Sequence, residues 1–112
     1  MSRDIIKLFL GNQLVFTSIS YDEDGTIFDM ISNGVTECRL EFGPYSFNST
    51  DNPTYFDYTT NGANGEISYD LTDAAGQLKV GQYSAKMGLV YPAAPNGRVH
   101  MEGIPILISD GV

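Results

Sequence analysis

Basic charge is scarce in this chain, and cysteine is nearly absent. Only six of its 112 residues are Lys or Arg, against fourteen Asp or Glu, for a formal net charge of −8. Binding nucleic acid by phosphate neutralisation needs clustered Lys and Arg, so no nucleic-acid partner is expected. An anionic membrane surface would repel the chain for the same reason. One cysteine, Cys38, leaves no intrachain disulfide to form. It alternates with Thr36, Leu40 and Phe42 in a way that puts Cys38, Leu40 and Phe42 on an apolar strand face, where a thiol behaves as a small hydrophobe. A reactive thiol would need a partner, and His100 is the one histidine that could serve. Long apolar runs are missing too. The opening MSRDIIKLFLGNQ has an early acidic residue and a short apolar run, so it reads as neither a signal peptide nor a membrane span. Folding in a reducing cytoplasm is the expectation.

What is present describes a folded β chain. Hydrophobic residues make up 42%, with seven Tyr and six Phe, enough for the core of one domain over residues 1–112. Twelve glycines and five prolines, spread along the chain, fit short strands joined by turns. The organising stretch is GEISYDLTDAAGQLKVGQYSAKMGLVY, residues 65–91. Ile67, Tyr69 and Leu71 share one face of a first strand; Tyr83, Ala85, Met87, Leu89 and Tyr91 share one face of a second. Between them, Leu78 and then Gly81-Gln82-Tyr83 match the tyrosine corner of immunoglobulin-like sandwiches. Ala85 stands where antibody domains carry a disulfide cysteine, so packing alone must join the sheets.

Other strands are expected over 4–10, 13–21, 27–30, 35–42, 55–60 and 99–108. In 13–21 the inward face is ambiguous between Leu14 with Phe16 and Val15 with Thr17 and Ile19. Asp22-Glu23-Asp24-Gly25-Thr26 and Ser32-Asn33-Gly34 are turns, and 92–97 is a hairpin end. Parity changes between Met101 and Ile104, so Gly103 marks a bulge, and Pro105 belongs at an edge or at that bulge. No helix longer than a single turn at 73–75 is expected. The fold class is an all-β, immunoglobulin-like antiparallel β-sandwich of about seven strands.

Candidate chemistry is thin. Asp22, Asp24 and Gly25 look like the start of a calcium loop, but the twelfth position is Asn33 in place of glutamate. His100 and Glu102 lie two apart without a serine or cysteine motif, and Asp70 and Asp73 read as turn caps. No cofactor, metal or catalytic residue is assigned, and an enzyme is not expected. The segment 43–64 is read as a long irregular loop, and loops of that length are often functional. Its rings Tyr45, Phe47, Tyr55, Phe56 and Tyr58 sit among polar residues, as interface anchors and sugar-stacking platforms do, and are the expected partner-binding residues.

From Gly11 onward the chain resembles the N-terminal immunoglobulin-like domain of upper baseplate proteins in tailed bacteriophages, and related small virion proteins. The matching stretches are GNQLVF (11–16), DEDGTIFDM (22–30), NGVTECRLEF (33–42), GEISYDLT (65–72), GQYSAKMGLVYP (81–92) and NGRVHMEGIPILI (96–108). Asn12 stands where the family has Asp, Met30-Ile31 where it has Leu-Thr, and Met87 where it has an aromatic. The resemblance implies a non-enzymatic virion protein that contacts other phage proteins of the capsid, tail or fibre, in multiple symmetric copies. Either a baseplate or tail-fibre adaptor or a capsid decoration would fit. A carbohydrate-binding module using the aromatic loop is the alternative.

Overall fold

In a computed structural model that describes residues 5–11 and 14–110, eight strands form two sheets over one core. They are β1 (Ile6–Phe9), β2 (Val15–Ile19), β3 (Glu37–Phe42), β4 (Tyr45–Asn48), β5 (Phe56–Asp57), β6 (Glu66–Asp70), β7 (Gly81–Tyr91) and β8 (Ala94–Ser109). One sheet runs β1-β8-β7-β3-β4 and the other β2-β6-β5. All pairings are antiparallel except β1 with β8, so the larger sheet is mixed where an antiparallel one was expected.

The alternation in β7 decides its orientation. Ala85, Met87, Leu89 and Tyr91 are buried, and Gln82, Ser84 and Lys86 face out. Cys38, Leu40 and Phe42 of β3 line up beside them. The opposing sheet contributes Ile67 and Tyr69 from β6 and Phe56 from β5. In β2 the ambiguity resolves toward Leu14 and Phe16, whose ring stacks on Tyr69 at 4.5 Å; Val15 and Ile19 point to solvent. Register with β6 forces this choice, since pairing Phe16 with Tyr69 puts both rings on the core side.

Several turns follow their residues. Gly25 adopts φ +87 and closes the 22–26 turn, with its N–H donating to the Asp22 carbonyl at 2.9 Å. Gly103 is the unpaired residue where Lys86 faces Glu102 and Ala85 faces Ile104. Its φ of +73 is the conformation that a bulge of this kind asks of glycine. His100 is skipped in the same way between Val99 and Met101. Pro105 lies two residues past the Gly103 bulge and just before β1 begins to pair at Ile106. Among the described residues the first half of β8 pairs only with β7, and bulges at His100 and Gly103 interrupt it.

Three expectations change. Residues 27–30 make only a single bridge, Tyr21 with Ile27, because the Asp29 carboxylate takes the N–H groups of Ile31 and Ser32 and turns the chain. The β7–β8 hairpin closes over Pro92-Ala93, with Tyr91 opposite Ala94, so residues 94–97 belong to the strand. The turn near 73–75 extends to a 3-10 helix over Thr72–Gln77, and shorter 3-10 turns occur at Pro53–Tyr55 and Gly62–Asn64. The turn or bulge expected at Gly11-Asn12 falls partly outside the described residues, as do Asn12 and Gln13 of the GNQLVF stretch.

The chain crosses from one sheet to the other between β6 and β7. Leu71, Ala74 and Leu78 are buried along the way. At the end of the crossing the backbone of Lys79 is held on both sides. Its N–H donates to Tyr45 Oη, and its carbonyl accepts from Tyr83 Oη, each at 2.8 Å. Replacing Tyr45 by Phe removes one of these bonds and should cost about 1 kcal/mol of stability in urea unfolding. An unchanged midpoint would mean the hydroxyl does not help hold the crossing.

Candidate interaction surfaces

The aromatic segment 43–64 was the expected contact site, and four of its five rings turn out to be core. Tyr45, Phe47, Tyr55 and Phe56 retain only 5–9% exposure. Gly43 at φ +55 followed by Pro44 makes the two-residue turn of a β3–β4 hairpin, the pattern of a II′ turn. The alternation of Tyr45-Ser46-Phe47-Asn48 then sends both rings inward. A Gly-Pro pair followed by strict alternation is a hairpin signal, and that signal lay in the sequence. From β4 the segment crosses to β5 in the other sheet, and its rings close that end of the core. Phe47 meets Tyr55 edge-on at 5.5 Å, Phe42 contacts both Tyr45 and Phe47, and Phe56 packs on Tyr69 at 5.6 Å. These four residues are therefore corrected from partner-binding to structural.

Tyr58 is the half-exposed exception. Its hydroxyl donates to the Thr36 carbonyl at 3.1 Å, and partial burial pushes its pKa up. At the start of 57–60, Asp57 accepts from the Thr59 and Thr60 N–H groups and from both hydroxyls. Those bonds, the Thr60 hydroxyl foremost, hold its carboxyl below the usual range. Asp24 and Asp29 are lowered in the same way, by Thr26 and by Ser32 respectively. All three organise turns. Asp70 likewise accepts from the Thr72 N–H and hydroxyl, in keeping with a capping role.

The two nucleophile-related residues are apart in function. Cys38 is 1% exposed, and burial, helped by Glu37, pushes its thiol up to about 12. That thiol is protonated at neutral pH. His100, displaced by its bulge, packs its ring on Phe28 at 4.7 Å and near Tyr91 at 6.1 Å. Both its ring nitrogens are shielded from solvent without a hydrogen-bond partner. Burial and the neighbouring Arg98 push its pKa below the ordinary 6.5, against weaker opposing pulls from Asp22 and the Tyr21 backbone. Among the described residues, no three His, Cys, Asp or Glu side chains gather into a group that could hold a metal ion.

A cleft of about 530 Å³ opens between the edge of β2 and the bulged half of β8. Ile6, Met87, Met101 and Ile104 make its apolar wall, with Ser18 and Glu102 among its polar residues. The Ser18 hydroxyl is already engaged with Tyr69 Oη at 2.9 Å.

The outer faces of the two sheets differ in charge. On the larger sheet, Glu37 pairs with Arg39 at 2.6 Å and Glu41 with Lys86 at 3.4 Å. Thr50 and then Arg39 hold the Glu37 carboxyl below its usual range. On the smaller sheet, Val15, Thr17 and Ile19 run along β2 opposite Asp70, Ser68 and Glu66 of β6, with Asp57 of β5 beyond Ser68. Tyr21 and Ile27 continue the row across their bridge.

Two outcomes follow from these placements. Phe47→Ala should lower unfolding free energy by about 3–5 kcal/mol, the cost of a cavity in a packed aromatic core, as read by denaturant titration. A change near zero would return Phe47 to the surface. For His100, a depressed folded pKa makes the native state lose stability as pH falls below 6.5, because only the unfolded chain gains the proton. His100→Phe should flatten the decline of a melting-temperature profile just below pH 6.5, while the decline from lowered carboxylates at more acidic pH persists. A profile that the substitution leaves unaltered would contradict the buried neutral imidazole.

No protein-family model, curated protein or solved structure matches this chain.

Proposed function

We propose that this chain is a non-enzymatic immunoglobulin-like module that makes protein–protein contacts within a tailed-phage virion. The observation that carries the immunoglobulin-like part is the crossing from β6 to β7. It joins two different sheets, and Tyr83 at its far end returns its hydroxyl to the Lys79 carbonyl, as a tyrosine corner does. Sheet order agrees with that reading. β2, β6 and β5 correspond to the B, E and D strands, and β8, β7, β3 and β4 to G, F, C and C′. β1 corresponds to a first strand that has switched sheets to lie parallel with the last.

The virion part rests on the resemblance of those stretches to the baseplate family, carried by turn and core residues rather than by chemistry. A structural role also suits a chain whose two reactive-type side chains, Cys38 and His100, are held in packed surroundings. Glycan binding by the aromatic segment loses its support, since stacking on a sugar needs exposed rings and four of the five are buried. Many symmetric copies, each making a modest contact, would give the assembly its strength.

Quantitative mass spectrometry of purified virions tests the reading. Copy number near that of the major capsid protein marks a capsid decoration. A small multiple of three or six marks the tail, baseplate or fibre attachment. Absence of the chain from the particles overturns the virion role.

A further inference from the structure

We infer that the outer face of the three-stranded sheet is the docking surface, and that its partner is a protein presenting basic side chains around an apolar centre. Val15, Ile19, Tyr21 and Ile27 keep 40–52% of their surface exposed. Strand alternation places Val15, Ile19 and Tyr21 on one side of the β2 line, and Ile27 lies across the bridge from Tyr21. Single exposed aliphatics are ordinary, but a row of them along one edge is the pattern of an interaction site.

The charges beside that row identify the partner. Asp70 faces Val15, Glu66 faces Ile19, and Asp57 extends the acidic strip. Among the described residues no Lys or Arg shares this face. Arg39 and Lys86 are ion-paired on the opposite sheet, Arg98 reaches Glu23 and Tyr91, Lys7 is on β1 and Lys79 lies at the crossing. Glu37 and Glu41 on the larger sheet are thus ion-paired, whereas Glu66, Asp70 and Asp57 on the smaller one have no Lys or Arg of the described residues beside them. Electrostatic complementarity then asks for Lys or Arg on the other side. A second copy of the chain does not meet that requirement, because a two-fold contact through this face would set Glu66 and Asp70 against their own kind.

This inference deepens the contact-module reading, and the test separates the two. The probe is a soluble β-hairpin peptide with Lys and Val on one face, titrated into the ¹⁵N-labelled protein. Saturable amide shifts are expected over 15–19 and 66–70, weakening as salt is raised. Val15→Lys with Glu66→Lys should cut affinity by about tenfold or more, the scale of losing interface anchors. Both side chains point to solvent, and an unchanged melting temperature would verify that the fold survives. The control pair Glu41→Lys with Ser46→Lys, on the opposite sheet, should leave binding intact. Shifts centred on β3 and β4, shifts indifferent to the Val15/Glu66 pair, or self-association through β2 would overturn the surface. Particle incorporation of the same variants is scored in parallel. If wild-type chain is absent from particles, the virion reading fails while the titration still judges the surface.

Discussion

The passage of the chain from one sheet to the other between β6 and β7 is the constraint on which the rest of the structure depends. Two sheets can share a core only if their apolar faces oppose each other, and this crossing sets that relation. Leu71, Ala74 and Leu78 are buried along its length, so the connection is itself part of the core. Its exit is pinned at one peptide, where Lys79 is bonded to Tyr45 from β4 and Tyr83 from β7. The two rings meet edge-on at 5.7 Å, and Phe42 lies 5.7 Å from Tyr83, so the polar clamp is backed by aromatic packing. Gly43 belongs to the same assembly, since a Cβ there would overlap the Tyr83 ring.

A second crossing, from β4 to β5, closes the opposite connection with a different chemistry. There the polar residues stay outside and tie down turns, while the rings beneath them fill the end of the sandwich. Asp57 with Thr59 and Thr60, and Asn48 with Asp51, carry the surface hydrogen bonding. Tyr55 and Phe56 carry the packing. An aromatic-rich, polar-rich segment is ambiguous for this reason. The same composition serves a binding loop or a capped core edge, and the two differ only in which way the rings turn.

The distribution of charge then separates the two outer faces. Ion pairs on the larger sheet neutralise Glu37 and Glu41 locally, and exposed pairs of that kind add little stability. Their consequence is to leave the net negative charge concentrated elsewhere, including beside the apolar row on β2. Bulges at His100 and Gly103 meanwhile discourage strand addition along the first half of β8.

The all-β class, the inward faces of β3, β6 and β7, the 22–26 turn and the Gly103 bulge were all legible in the sequence. Each is a local matter, in which side-chain period and glycine conformation declare themselves over a few residues. Cys38 was legible for the same reason. The parallel pairing of β1 with β8, the inward turn of Tyr55 and Phe56, and the packing of His100 on Phe28 were not. Each depends on residues far apart in the chain. Alternation assigns a side chain to one of two faces, and only the opposing sheet determines which face is covered. The candidate docking face was half legible. Val15 and Ile19 were visible as apolar residues, but their exposure beside Glu66 and Asp70 was decided by the β2–β6 register.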